Sequence, residues 1–271
     1  MSAASSPLLG LAPLSLLLLL GCQKAADTSA EPPASEEAPS SEPETPQHGE
    51  HAQPGEHGHG EHAHGPNPAH DGHGHAHHHR FEDAEQWAKH FDDPSRDQWQ
   101  KPEAVIDFIA PADDAVVADL GAGTGYFTIR LARRVPGGRV LANDIEPDMV
   151  RYMGERAAKE GLSNVVPVQG EAADPKLPEA VDIAFMCDVY HHIEDRQGYF
   201  RKLAAQLRPG GRVVIVDFKK DAPEDAPGPP PAMRVAQDVM VRELEGAGLR
   251  LRRADRDTLP HQYIVELVVA P

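Results

Sequence analysis

The order of apolar and helical segments predicts an α/β fold: a mostly parallel, seven-stranded sheet with helices on both faces and a C-terminal antiparallel hairpin. Three observations carry that expectation. Short runs rich in Val, Ile and Leu alternate with helical segments, as strands buried on both faces do. A glycine-rich turn directly follows the first of these runs, and two further apolar runs close the chain.

Taken in order, Glu82 to Phe91 sets Trp87 and Phe91 four apart, on one face of a short helix. A second helix is expected over residues 102–110, with Pro102 in its first turn and Val105, Ile106 and Ile109 facing inward. Then come a strand at 115–120, a helix at 126–134, a strand at 139–144 and a helix at 147–160. Strands at 165–169 and 181–187 follow, then a helix at 197–207 and a strand at 212–218. A helix at 235–247 and runs at 249–254 and 263–269 form the closing hairpin.

The preceding 80 residues have a different composition. Residues 8–20 are an apolar run interrupted by Gly10, Pro13 and Ser15, too short to span a bilayer and of signal-peptide length, so residues 1–21 are expected to be an export signal. It ends in Leu19-Leu20-Gly21-Cys22, which resembles the lipobox of bacterial lipoproteins. The resemblance implies a lipid anchor on Cys22 and a place in the cell envelope; two acyl chains suffice for stable anchoring. Met1 to Pro7 lacks the usual Lys or Arg. If this stretch is a leader without function, the chain is cytoplasmic.

Residues 22–80 have almost no Val, Ile, Leu, Phe or Trp and are expected to remain disordered, because they cannot bury enough apolar surface to offset ordering. Twelve of the sixteen histidines lie between His48 and His79. His57, His59, His73, His75, His77, His78 and His79 stand in Gly-rich runs that can wrap Zn, Ni or Cu, or can serve as a solvated, pH-dependent linker.

The net charge is −17, about half of the excess lying before Arg80, where Lys24 and Arg80 face ten acids. No basic footprint for duplex nucleic acid is present. Cys22 and Cys187 are the two cysteines and stand in unlike contexts, which argues against a structural disulfide.

The chemistry-bearing motif is Asp119-Leu120-Gly121-Ala122-Gly123-Thr124-Gly125. Its glycines permit a tight turn and a close ligand approach, and the helix that follows begins with unpaired amides. A second acid, Asp144, closes the next strand, a context shared by dinucleotide and nucleoside binders, where that carboxylate accepts ribose hydroxyls. The dinucleotide fingerprint wants a third glycine where Tyr126 stands.

Asp-Leu-Gly-x-Gly-x-Gly resembles motif I of the class I S-adenosylmethionine-dependent methyltransferases, and the resemblance continues to the end of the domain, over residues 81–271. Ala142 to Met149 looks like the family's second-strand ending, and Gln169 to Asp174 like its adenine-contacting turn, with Glu171 where Asp is usual. Residues 182–193 resemble its fourth strand and the loop over the methyl group, and residues 207–217 its fifth-strand entry. The chain is most similar to a branch related to the ubiquinone and menaquinone biosynthesis methyltransferases. That branch combines a leader such as Trp87-Ala88-Lys89-His90-Phe91-Asp92-Asp93-Pro94-Ser95-Arg96-Asp97 with a Gly228-Pro229-Pro230 loop and a closing Leu259-Pro260-His261-Gln262-Tyr263.

The resemblance implies a Rossmann-like sheet and S-adenosylmethionine as cofactor, lined by Asp119, Gly121, Gly123, Gly125, Asp144, Ile145, Glu171, Ala172 and Asp188. Asp144 would hold the ribose. Asp119 would steer the amino-acid portion or cap the turn. Asp188, Tyr190, His191 and His192 follow the fourth strand, at the edge where open α/β sheets bind ligands. Either histidine could take a proton from the acceptor; alternatively His192 caps the next helix and His191 lines the pocket. Cys187 reads as a small core residue. The loop over residues 221–231 reads as a lid or a connector, with Arg234 available for an anionic group.

Two functions fit. One is methyl transfer to a small-molecule or lipid-like acceptor. The other is a membrane-tethered metal- or nucleoside-binding lipoprotein with an inactive domain, suggested by the distance between an exported chain and a cytoplasmic cofactor.

Overall fold

The computed structural model describes residues 83–271, so the export segment, Cys22 and the seven histidines named as metal ligands lie outside the described residues. Seven helices, α1 (Ala84–Phe91), α2 (Arg96–Gln100), α3 (Pro102–Ile109), α4 (Thr128–Arg134), α5 (Pro147–Lys159), α6 (Arg196–Ala205) and α7 (Gln237–Glu245), surround one sheet. Its strands are β1 (Val116–Leu120), β2 (Arg139–Asp144), β3 (Val165–Gln169), β4 (Val181–Cys187), β5 (Leu207–Phe218), β6 (Leu249–Asp255) and β7 (Gln262–Val269). The spatial order is β3-β2-β1-β4-β5-β7-β6; β1 to β5 run parallel, and β7 enters antiparallel between β5 and β6. This is the fold the sequence predicts.

Every residue of β1 is buried, as a central strand covered on both faces requires. One core packs Leu120, Leu141, Met186, Phe200 and Leu203 beneath α6 and α7. The other packs Val117, Val140, Phe185 and Val214 beneath α3, through Val105, Ile106 and Ile109. Pro102 opens α3 and Pro147 opens α5, positions where a missing amide costs no helical bond. The sheet's edges resist further pairing: β3 contains Pro167, and β6 is bulged between Leu251 and Arg253.

Some boundaries differ from expectation. α2 was not foreseen, because five residues with a polar buried face show no helical period. α6 stops at Ala205, and β5 begins at Leu207, which pairs with Val181 before the Pro209-Gly210-Gly211 stretch. Among the described residues, no helix is long and apolar enough to cross a membrane.

The bulge in β6 has an electrostatic purpose. It turns both Arg252 and Arg253 toward Glu266 of β7, which is fully buried and accepts from each at 2.8 Å, while Arg212 stands 3.5 Å away. The surplus positive charge is offset by the C-terminal end of α3. Arg253 donates to the Phe108 carbonyl and Arg212 to those of Ile109 and Ala110. Replacing Glu266 with Leu leaves three guanidiniums around an apolar side chain. We expect a loss of about 3 kcal/mol in urea unfolding, against less than about 0.5 for exposed Arg250→Ala; equal effects would show that the cluster contributes nothing.

Candidate active site

The strand order reverses between β1 and β4, and a ligand crevice is expected outside their C-terminal ends. β1 runs into a turn in which Gly121, Gly123 and Gly125 all have positive φ, at 67°, 56° and 89°. At Gly121 the requirement is also one of space: a Cβ there would lie 2.4 Å from Cγ2 of Val189, in the loop after β4. The loop and the turn thus pack directly together.

The carboxylates ending β1 and β2 are built into this turn. Asp144 accepts from the Gly123 amide at 2.8 Å and the Glu146 amide at 3.0 Å. Each oxygen keeps lone-pair capacity for a ligand hydroxyl. Asp119 accepts from Thr128 Oγ1 at 2.6 Å, tying the strand to the first residue of α4, which is the turn-capping alternative for this residue. Burial pushes the Asp119 carboxyl up to about 7, against the Thr128 hydrogen bond and with help from the charge of Asp144. Asp144 is also raised by burial, its amide bonds opposing.

A sulfonium nucleoside fits this arrangement on several counts. Gly123 has no Cβ on the side where Phe91 approaches, Thr124 Oγ1 is buried without a partner, and Ile145 beside Asp144 is 46% exposed, an apolar face for an adenine ring. The buried carboxylates are matched by a cationic ligand. Glu171 and Ala172 are exposed; Glu171 pairs with Asp174 through the backbone and lies 3.5 Å from Lys176.

Beyond β4, Asp188 adopts a left-handed φ of 61°, unusual for a residue with a Cβ and a mark of a constrained site. Burial raises its carboxyl to about 6, with Arg96 opposing. Burial also drives the Cys187 thiol upward, consistent with a core residue. His191 is held twice by Asp217: its backbone amide lies 3.2 Å and its ring Nδ1 2.9 Å from the carboxylate. Burial alone would depress His191, but the hydrogen bond and charge of Asp217, with Asp188 added, outweigh it and leave the ring raised. The His192 ring lies 4.2 Å from that of His191, tilted by 42°.

Two expected residues stand elsewhere. Tyr190 is fully buried and donates its hydroxyl to Glu243 at 2.5 Å, so it braces the loop against α7 and does not face the crevice. Arg234, expected to meet an anion, is buried and donates to the carbonyls of Pro229, Ala222 and Pro223, because the Pro-rich loop has carbonyls in excess of amide donors.

The structure adds residues the sequence reading passed over. Asp217 is an acid next to the end of the apolar, buried half of β5, the same signal that marked Asp119 and Asp144. Arg96 and Gln100 of α2, with Gln262 of β7, surround Asp188. Gln262 donates to Asp188 and accepts from Gln100 at 2.5 Å; Gln100 accepts from Arg96, whose Nη2 lies 3.4 Å from Asp188. A cleft at the opposite end of β4 and β5 holds the Arg208–Asp182 pair at 2.7 Å and has no glycine turn beside it. Among the described residues, no cluster of three or more His, Cys, Asp or Glu could hold a metal ion.

Comparison with known proteins places these features in company. Residues 111–243 match a methyltransferase domain model. The chain is 35% identical over 118 residues to an arsenite methyltransferase of Halobacterium salinarum, covering 43% of this chain and 30% of that protein. It is 33% identical over 107 residues to a ubiquinone/menaquinone biosynthesis C-methyltransferase of Pasteurella multocida, covering 38% and 40%. The chain therefore spans less than half the length of these two relatives. A crystal structure of an S-adenosylmethionine-dependent methyltransferase from Aquifex aeolicus superposes with a TM-score of 0.63 at 30% identity, covering 69% of this chain and 99% of that one.

The raised Asp119 has a consequence for stability. Its folded pKa exceeds the ordinary carboxylate value of 3.8, so the folded state binds the proton more tightly. Stability from this group is full at low pH and falls as pH rises from about 4 to about 7. Thermal melts across that range should show Asp119→Asn losing this slope; an unchanged slope would contradict the assignment.

Proposed function

Because the chain belongs to the S-adenosylmethionine-dependent methyltransferase family, we propose that it transfers a methyl group from that cofactor to a protic small-molecule or lipid-like acceptor. The observation that carries this reading is the pairing of Asp144 with the glycine turn after β1, together with the His191–Asp217 couple at the C-terminal ends of β4 and β5.

Asp144 would grip the ribose diol with the lone pairs its amide partners leave free, and Ile145 would cover one face of the adenine. When bound, the cofactor supplies a methyl group on a sulfonium, already a strong electrophile. The protein's task is then to align the acceptor and exclude water. Asp217 holds a proton on Nδ1 of His191, which leaves Nε2 as the basic atom for removing the acceptor's proton. Asp188 opens the loop that leads to this couple, and its charge acts on His191. A small acceptor agrees with the excess of acids over bases in the domain, which repels nucleic acid. A soft metalloid acceptor would call for accessible thiolates, and among the described residues Cys187, half-buried, has its thiol pushed up by desolvation.

Calorimetry on the full chain should give micromolar binding of S-adenosylmethionine. Asp144→Asn should weaken it about 100-fold through loss of charge-assisted hydrogen bonds, with the melting temperature retained. Wild-type protein that binds no nucleoside would sink the reading, and binding without turnover on any hydroxyl or acidic C–H acceptor would favour an inactive binding domain.

Turnover should increase as pH rises through a His191 pKa above the ordinary imidazole value, since the neutral ring is the base. Asp217→Asn should move that inflection to lower pH and cut turnover roughly 100-fold; a profile that does not move would remove His191 from the base role.

For residues 1–22 the proposal is envelope anchoring through Cys22. Fractionation should find the native chain with membranes and Cys22→Ser released; a native chain that is wholly soluble would end it.

A further inference from the structure

We propose that Phe218, the last residue of β5, is a positioning residue for the His191–Asp217 couple: its amide fixes the carboxylate, and the leader and the Pro-rich loop fix its ring. This rests on the base reading above.

The need for such a residue comes from how β4 ends. Pairing with β5 runs one residue beyond Cys187, where the Asp188 amide donates to the Val216 carbonyl at 3.0 Å. In a parallel ladder the next bond would run from the Phe218 amide to the carbonyl of Asp188. Asp188 instead leaves with a left-handed φ of 61°, and the Phe218 amide donates to Oδ1 of Asp217 at 2.7 Å. The carboxylate thus takes the place of the strand that has ended. That same oxygen lies 2.9 Å from Nδ1 of His191, and Oδ2 accepts the His191 amide at 3.2 Å. Asp217 is fully buried, so bulk water does not compete for it.

This amide can hold Asp217 only if residue 218 is itself held. Its main chain is in register with Gln262 of β7, and the next amide, that of Lys219, donates to the His261 carbonyl at 2.9 Å. Its ring, buried, meets Trp99 of α2 with centroids 5.9 Å apart. Gly228 of the Pro-rich loop closes on the same ring. A Cβ there would overlap Cζ and both Cε atoms of Phe218, and the φ of 103° at Gly228 is one that a side chain would strain. The loop is in turn closed by Arg234, which donates to the Pro229 carbonyl at 2.8 Å and to those of Ala222 and Pro223. Leader and loop therefore meet on the residue whose amide holds the partner of His191.

Around the His191 ring stand Asp217 on β5, Asp188 in the loop after β4, Arg196 on α6 and the neighbouring His192. Burial depresses the ring, the hydrogen bond and charge of Asp217 raise it, Asp188 adds to the rise and Arg196 opposes it. Of these influences the Asp217 bond is the one set by hydrogen-bond geometry, which Phe218 controls.

Histidine NMR on the full chain tests this without any acceptor. His191→Gln identifies the His191 signal by its loss. The wild-type ring should titrate above the ordinary imidazole value of 6.5. Phe218→Leu and Gly228→Ala, neither of which removes a hydrogen bond of His191, should each lower that inflection by about one pH unit. The double variant should fall no further than the lower single one, because both act through one ring. Trp99→Leu, a milder change that loosens the ring from α2, should lower the inflection in the same sense. Binding of S-adenosylhomocysteine within about twofold of wild type shows that a variant is folded. Folded variants whose inflection stays at the wild-type value would overturn the proposal, as would additive falls in the double variant. If the wild-type ring itself titrates at the ordinary value, the base reading fails and takes this proposal with it.

Discussion

The structure turns on the contact between the glycine turn after β1 and the loop after β4. Val189 occupies the space a Cβ on Gly121 would need, at 2.4 Å, so neither segment can move without the other. That contact sets the ends of two adjacent strands side by side and fixes what each presents. On the β1 side lies the Gly123 amide, one of the two that hold Asp144. On the β4 side the same loop carries Asp188, whose backbone is left-handed, and His191, which is bonded to Asp217. Backbone strain at Asp188 is sustained because packing on both sides over-determines it.

Electrostatics gives the crevice its selectivity. Burying carboxylates at the ends of three neighbouring strands raises each of them above the ordinary range, and hence destabilises the empty, ionised site. A cationic ligand relieves that cost by pulling the carboxyls back toward ionisation, so binding and proton release are linked. Arg96, from α2, brings a positive charge beside Asp188 from outside the sheet, whose strand ends here are acidic.

Much of this was legible in the sequence. The glycine spacing, the acid at the end of β1 and the acid at the end of β2 are local patterns, each contained within a strand and the turn that follows it. Asp217 carried the same local signal in a strand whose entry, with Gly210 and Gly211, is the more conspicuous pattern. The circuit of Arg96, Gln100, Asp188 and Gln262 could not be read in this way, because its members come from α2, the loop after β4 and β7 and are joined only by the folded sheet. α2 itself buries polar side chains, so the apolar periodicity that reveals a helix is absent from it. Arg234 shows the opposite error. A cation near a candidate site suggested an anionic ligand, but the Pro-rich loop beside it needed its donors first.

The central claim is that a sulfonium nucleoside lies across the sheet's crest with its sugar on Asp144. A crystal structure of the full chain with S-adenosylhomocysteine tests it most directly. Both ribose hydroxyls should lie within hydrogen-bond distance of Asp144, with the sulfur between the glycine turn and Asp188. A nucleoside bound elsewhere, or Phe91 and the leader filling the crevice in the presence of saturating ligand, would contradict it.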